Sequence, residues 1–169
     1  QMDPPLIDAV RYQLSTERKF WASDDEIRTA AVSRPFYYYG RAEQRRMVLE
    51  RLEESYGHKE LAELSTLSLS VEHILPQSLS AEWITELTEA GDDAEAVHRE
   101  LVHTLGNLTL SAYNSELSNL PFERKQQIYG DSHLSLNKVL VERPRWGREE
   151  ILARAAELAE RAITIWPAP

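Results

Sequence analysis

Two stretches carry residue types that could do chemistry together. Ser70-Val71-Glu72-His73-Ile74-Leu75-Pro76-Gln77 sets a carboxylate beside an imidazole, and Leu105-Gly106-Asn107-Leu108-Thr109-Leu110-Ser111-Ala112-Tyr113-Asn114 brackets a short apolar run with two carboxamides. Hydrolysis of a phosphodiester needs a base to take a proton from water, a cation to neutralise the charge developing on phosphate, and a geometry that holds both in line. His73 can be the base, because an imidazole with a pKa of about 6.5 is neutral yet basic near pH 7. Mg²⁺ takes oxygen ligands, only a few of them from protein, and Glu72 and Asn114 can each supply one. Asn107 serves differently, its amide tying the loop between strand and turn and so fixing the direction of His73. These residues therefore read as one metal-dependent phosphodiesterase site.

The elements that must position them are short. Val71 to Leu75 reads as a strand stopped by Pro76, which cannot donate a ladder hydrogen bond. Leu105 to Leu110 alternates as a second strand, with Gly106 free to form a turn or bulge. Successive strand residues point to opposite faces, so a bend is expected at Glu72-His73 if both side chains are to face one metal.

The rest reads as helical scaffold. Leu6, Ile7, Val10 and Leu14 predict a helix over residues 5–15. Ser23 followed by Glu26 three residues later has the form of a capping box, for a helix that ends near Ser33 because Pro35 disfavours helical backbone at Arg34. Phe36-Tyr37-Tyr38-Tyr39 has the aromatic content of a short extended segment. Met47, Val48, Leu49 and Leu52 among interleaved charges mark an amphipathic helix from Arg41 to Ser55. Residues 61–69 resist assignment. Helices follow over 80–89, with Ser80 as N-cap, and 92–103, then from Ala112 to about Leu120, from Pro121 to Gly130, from Ser132 or Ser135 onward, and from Arg148 to Ile165. His103 lies just before the strand bearing Asn107, where it could face the site, but with His58, His98 and His133 it is read as structural, and Trp21, Trp83, Trp146 and Trp166 as core or helix-junction residues.

A chain of 169 residues suits one domain with its own core. The absence of cysteine excludes disulfides, thiolate zinc sites and cysteine nucleophiles. No apolar run approaches the roughly 20 residues that cross a bilayer, so no membrane partner and a cytoplasmic location are expected. The net charge of −9 does not recommend a nucleic-acid partner, but its distribution admits one: residues 61–105 hold Arg99 against nine acids and contribute −8 of the total. That segment reads as an acidic insertion, spanning 77–104, on a balanced surface. Packed beside the site, it would hold intrinsic DNA affinity down.

Glu-His-Ile-x-Pro-Gln at Glu72–Gln77, Leu-Gly-Asn-Leu-Thr-Leu at Leu105–Leu110, Asn114, and Leu-Ser-Asn-x-Pro-Phe-x-x-Lys at Leu117–Lys125 together resemble the HNH-type (ββα-metal) nuclease domain at the C-terminal end of GmrSD-family restriction endonucleases. The resemblance reaches upstream to the helix Arg45–Glu53 and downstream to Ile165-Trp166-Pro167. It implies a mainly α domain holding a small two-stranded antiparallel hairpin, with residues 1–69 a helical N-terminal part, 70–129 the ββα-metal core and 130–169 C-terminal helices. It further implies a DNA endonuclease of prokaryotic phage defence that nicks or cuts both strands. His73 is then the general base, Glu72 and Asn114 the metal ligands, with Asn119 an alternative to Asn114, and Asn107 the middle residue of the HNH pattern. Asn in the third place of that pattern favours Mg²⁺ or Mn²⁺ over zinc. Arg124 and Lys125 are candidates for positioning phosphate. In such proteins the module follows an N-terminal sensor of modified DNA, phosphorothioate in effectors of the SspE kind. No phosphate-cradling glycine loop or Asp-Gly-Gln-x-Arg stretch occurs here, so the chain is expected to be the C-terminal part of a longer protein. The rival readings are a non-catalytic DNA- or partner-binding module, and an enzyme that hydrolyses small phosphate esters.

Overall fold

The structure is a computed structural model and describes residues 21–57 and 68–167. The helix expected over 5–15 and most of the unassigned stretch 61–69 lie outside the described residues, as does His58. In chain order the elements are α1 (Asp24–Ser33), α2 (Ala42–Glu54), β1 (Ser70–His73), α3 (Ala81–Glu89), α4 (Ala94–Leu101), β2 (Leu108–Ser111), α5 (Asn114–Leu117), α6 (Phe122–Gly130), α7 (Ser135–Val141) and α8 (Arg148–Ile165), with short 3-10 turns at Phe36–Tyr38 and Leu105–Asn107. The architecture is mainly helical with one two-stranded antiparallel sheet.

Local chemistry sets most helix ends where the spacing predicts them. At α1 the Ser23 hydroxyl accepts from the Glu26 N–H while the Glu26 carboxylate accepts from the Ser23 N–H, and the helix stops one residue before the Arg34-Pro35 pair. The Ser80 hydroxyl caps α3 by accepting from the Trp83 N–H. Along α2, Arg46 pairs with Glu50 and Arg51 with Glu54 on the outer face, while Leu49 and Leu52 are fully buried. Each such leucine contributes roughly 1.5–3 kcal/mol relative to exposure.

Three expectations are corrected. Phe36–Tyr38 is a 3-10 turn, not an extended segment: Pro35 starts it, the Tyr38 N–H returns to the Pro35 carbonyl, and the Tyr37 N–H donates to the His103 carbonyl. Leu105–Asn107 is likewise a 3-10 turn, so β2 begins only at Leu108. Gly106, expected to form a turn or bulge, is the middle residue of this turn. A Cβ on it would run into the Ile151 carbonyl and lie 2.9 Å from Ala155 Cβ, so its lack of a side chain lets this turn seat on α8. The helical run from Ala112 shrinks to the four residues of α5, broken by Ser118 at a φ of 31°.

The sheet pairs Ser70 with Ser111, Val71 with Leu110, Glu72 with Thr109 and His73 with Leu108. This register is unbroken, and the bend expected at Glu72-His73 is not there. Leu108 and Leu110 therefore share a face with Val71 and His73, and both leucines enter a core with Leu49, Leu52, Leu136 and Leu158. Beyond the strand, Ile74 and Leu75 enter a second core with Trp83, Phe122, Trp146 and Ile151. Helix α8 supplies Leu158 to the first and Ile151 to the second, and so holds the strand ends between them.

Candidate functional site

A regular strand aims Glu72 and His73 to opposite sides, and each finds its own partners. Glu72 is 7% exposed, and its Oε1 accepts from Lys125 Nζ at 2.8 Å. The same ammonium donates to the His73 carbonyl at 2.8 Å. Burial pushes the Glu72 carboxyl up and the Lys125 ammonium down, while each charge opposes the other's shift. Lys125 is fully buried by this arrangement, which corrects its expected place as a phosphate contact. Arg124, its neighbour, is exposed and bonds Gln127 at 3.1 Å.

The His73 ring is 4% exposed on the other face. Its Nε2 lies 3.1 Å from His103 Nδ1, and His103 Nε2 lies 2.8 Å from Tyr38 Oη. The Tyr37 ring packs edge-on against it with centroids 4.5 Å apart. Burial first, then the neighbouring His103, Lys125 and His98, lower the His73 pKa from 6.5 to about 3, so the ring is neutral near pH 7. Burial also lowers that of His103.

Tyr37 and Tyr38 are the members of this cluster that sequence reasoning missed, and His103 is one that it placed near the site but read as structural. The link between them is a hydrogen bond from the Tyr37 N–H to the His103 carbonyl, across 66 positions of chain, and no local pattern carries it. The one available signal was the place of His103 four residues before Asn107.

Asn107 is completely buried and uses its whole amide. Its Oδ1 accepts from the Leu75 N–H at 2.8 Å and from Trp146 Nε1 at 3.0 Å. Its Nδ2 donates to the Leu75 and Val102 carbonyls at 2.9 and 2.8 Å. The backbone adds a bond from the Ile74 N–H to the Asn107 carbonyl. One carboxamide thus joins the chain just past His73 to the end of α4 and to Trp146. Beneath it, buried Arg154 donates to the carbonyls of Gly106 and Leu108, both at 2.8 Å, and fixes the turn from which Asn107 projects.

Asn114 opens α5 and reaches back to β1, where its Nδ2 donates to the Val71 carbonyl at 3.0 Å. Its Oδ1 is buried without a hydrogen-bond partner. A buried acceptor left unmade is costly, and a cation or water bound there would satisfy it. Asn119 is exposed and makes no side-chain hydrogen bond among the described residues. Among those residues no three His, Asp or Glu side chains converge as a metal site. The oxygen donors beside β1 are one carboxylate and one carboxamide, a set that suits a hard cation keeping several waters.

A groove of about 350 Å³ lies beside the His73 face, lined by Tyr37, Glu43, Arg45, Arg46, Ser70 and Val71 among others. The Arg45 guanidinium sits 4.9 Å from the centre of the Tyr37 ring, so a cation and the His73 imidazole both contact one tyrosine. No helix among the described residues is long and apolar enough to cross a membrane.

The family model for the C-terminal domain of GmrSD restriction endonucleases matches residues 21–161. No curated protein matches the chain.

Proposed function

The chain belongs to the family of GmrSD restriction endonuclease C-terminal domains, and from that premise we propose that it is the metal-dependent DNA-cleaving module of an anti-phage restriction system, with His73 activating water. The observation that carries this reading is the place of the His73 ring: held at one nitrogen by His103, and one tyrosine away from a groove lined by Arg45 and Arg46 together with Glu43. A neutral imidazole can accept a proton, and the negative charge of a diester drawn to Arg45 would shift its lowered pKa upward. Phosphate contacts from such arginines would position the strand without reading its sequence.

In this reading a divalent cation, Mg²⁺ or Mn²⁺, would be held by Asn114 through its unpartnered Oδ1 and by Glu72, whose carboxylate Lys125 holds on the face of β1 opposite His73. When bound, such an ion neutralises charge developing on the phosphate. Asn119 remains the alternative ligand. Asn107 acts at one remove, by holding the backbone that follows His73. We place DNA as the substrate and a sensor of modified DNA, phosphorothioate among the candidates, in the N-terminal part of a parent protein.

The test is nicking of supercoiled plasmid with Mg²⁺, Mn²⁺ or EDTA. Wild-type protein is expected to nick with either metal and to stop in EDTA, and His73→Ala to fold normally and lose cleavage. Full nicking by that variant would sink the assignment. One observation favours a second reading, a binding module without catalysis: Lys125 already occupies Glu72. That reading requires the wild type to be inert under all three conditions while still binding DNA.

A further inference from the structure

A histidine base must present a bare nitrogen, and the surroundings of His73 determine which one. His73 Nε2 faces His103 Nδ1 at 3.1 Å, and His103 Nε2 faces Tyr38 Oη at 2.8 Å. A neutral imidazole has one N–H and one lone pair, so only two proton arrangements make both bonds. In the first, Tyr38 O–H donates to His103 Nε2, His103 Nδ1–H donates to His73 Nε2, and the His73 proton sits on Nδ1. The ring then has no lone pair to offer water. In the second, His73 Nε2–H donates to His103 Nδ1, His103 Nε2–H donates to Tyr38 Oη, and His73 Nδ1 is bare.

We propose that His103, backed by Tyr38, is a positioning residue that holds His73 in the second arrangement and so makes Nδ1 the basic nitrogen. The proposal rests on His73 being the base. The requirement on a base selects it: both arrangements make both hydrogen bonds, and only the second leaves His73 a lone pair at Nδ1, an atom that is not among the buried unpartnered ones of the described residues and so is open to water. The hydroxyl of Tyr38, a residue 66% exposed, then turns its proton to solvent.

The surrounding packing holds the same geometry. The Tyr37 ring stacks on His103 at 5.6 Å and meets His73 edge-on, and the Tyr37 N–H fixes the His103 carbonyl. When Nδ1 takes a proton from water, the Nε2–H bond to His103 becomes charge-assisted and strengthens, so the same contact stabilises the imidazolium as it forms.

The test uses His103→Leu, which removes the acceptor, and His103→Asn, whose amide oxygen can stand where Nδ1 stood. Nitrogen-15 NMR of the His73 ring at neutral pH, without DNA, reads the tautomer directly. The wild type is expected to carry its proton on Nε2, and His103→Leu to show a mixture. In plasmid nicking with Mg²⁺, His103→Leu is expected to lose ~10²-fold in kcat with KM nearly unchanged, and His103→Asn to recover to within about fivefold of wild type. A wild-type His73 protonated on Nδ1, or a His103→Leu variant with unaltered kcat, overturns the proposal. A wild type inert on DNA overturns the nuclease reading instead, and the NMR result stands apart from it.

Discussion

Lys125→Met is the perturbation whose consequence follows most directly from the structure. The ammonium is fully buried, lies 2.8 Å from Glu72 Oε1 and donates to the His73 carbonyl at 2.8 Å, while Glu72 is itself 7% exposed. Methionine conserves the volume of the side chain but leaves a buried carboxylate with no counter-charge and a buried carbonyl with no donor. Breaking a buried pair in this way costs ~3–5 kcal/mol, of which the orphaned carbonyl is about 1–3. Against a total stability of roughly 5–15 kcal/mol the variant sits near its unfolding threshold, and a drop in Tm of ~6–20 °C is expected.

The loss has a pH signature. The Glu72 carboxyl is already held above its ordinary value of 4.5 by burial, and Lys125 is what opposes that shift. Without the lysine the folded-state value rises further, so the folded chain binds more protons than the unfolded one over the interval between them. The stabilising effect of protonation is fully present below the unfolded value and is lost as pH rises through the folded one. The deficit of Lys125→Met should therefore narrow on going from pH 7 to pH 5. Glu72→Gln combined with Lys125→Met, which leaves no buried charge, should recover most of it. Urea unfolding followed by circular dichroism at both pH values measures this. An unchanged midpoint for Lys125→Met at pH 7, or a deficit that widens on acidification, would refute the reasoning.

Asn107→Ala removes four side-chain hydrogen bonds from a fully buried position and should cost at least ~3 kcal/mol in urea unfolding. His73, whose pKa falls from 6.5 to about 3 on folding, binds its proton more readily in the unfolded chain, so its contribution to stability declines as pH drops from about 6.5 toward 3. His73→Leu should flatten that part of the stability profile by about one proton, measured as the difference between the two unfolding curves. Neutralising the exposed Glu82, Glu89 and Glu95 of α3 and α4 to glutamine should raise plasmid affinity severalfold at low salt if the acidic segment holds DNA off, with roughly equal affinity at high salt. Deleting the segment is a poorer test, because 77–104 includes His103 and the Val102 carbonyl that Asn107 grips.

Helix positions were legible because their signals are local. The Ser23 to Glu26 capping box, the Pro35 stop and the apolar spacing of α8 each act within a turn or two of chain. The two strands were also legible, from alternation and from Pro76. What failed were segments whose backbone is decided by distant partners: Phe36–Tyr38 is turned inward by Pro35 and tied to His103, and Leu105–Asn107 is tightened by the approach of Gly106 to α8 and by Arg154. Arg154 itself reads from sequence as one more charge on a helix face. Only the fold shows that two carbonyls at the start of β2 take its guanidinium.

The same distinction separates the two halves of the Glu72-His73 doublet. Adjacent in sequence, they suggest one shared role and a kinked strand to permit it. The regular register instead divides them: the strand face bearing Glu72 is fastened to α6 through Lys125, and the face bearing His73 is fastened to the turn before α2 and to the end of α4 through His103 and Tyr38. Lys125 also holds the His73 carbonyl, so a displacement of α6 is felt at the base even though the lysine never meets the imidazole. Glu72 can thus affect hydrolysis in two separable ways, by lending an oxygen to a cation or by keeping β1 in place. Glu72→Gln combined with Lys125→Met distinguishes them: it leaves no buried charge on this face of β1 but lowers the charge at the metal. A raised Mg²⁺ requirement with normal stability marks a ligand, and lost stability with an unchanged Mg²⁺ requirement marks a brace.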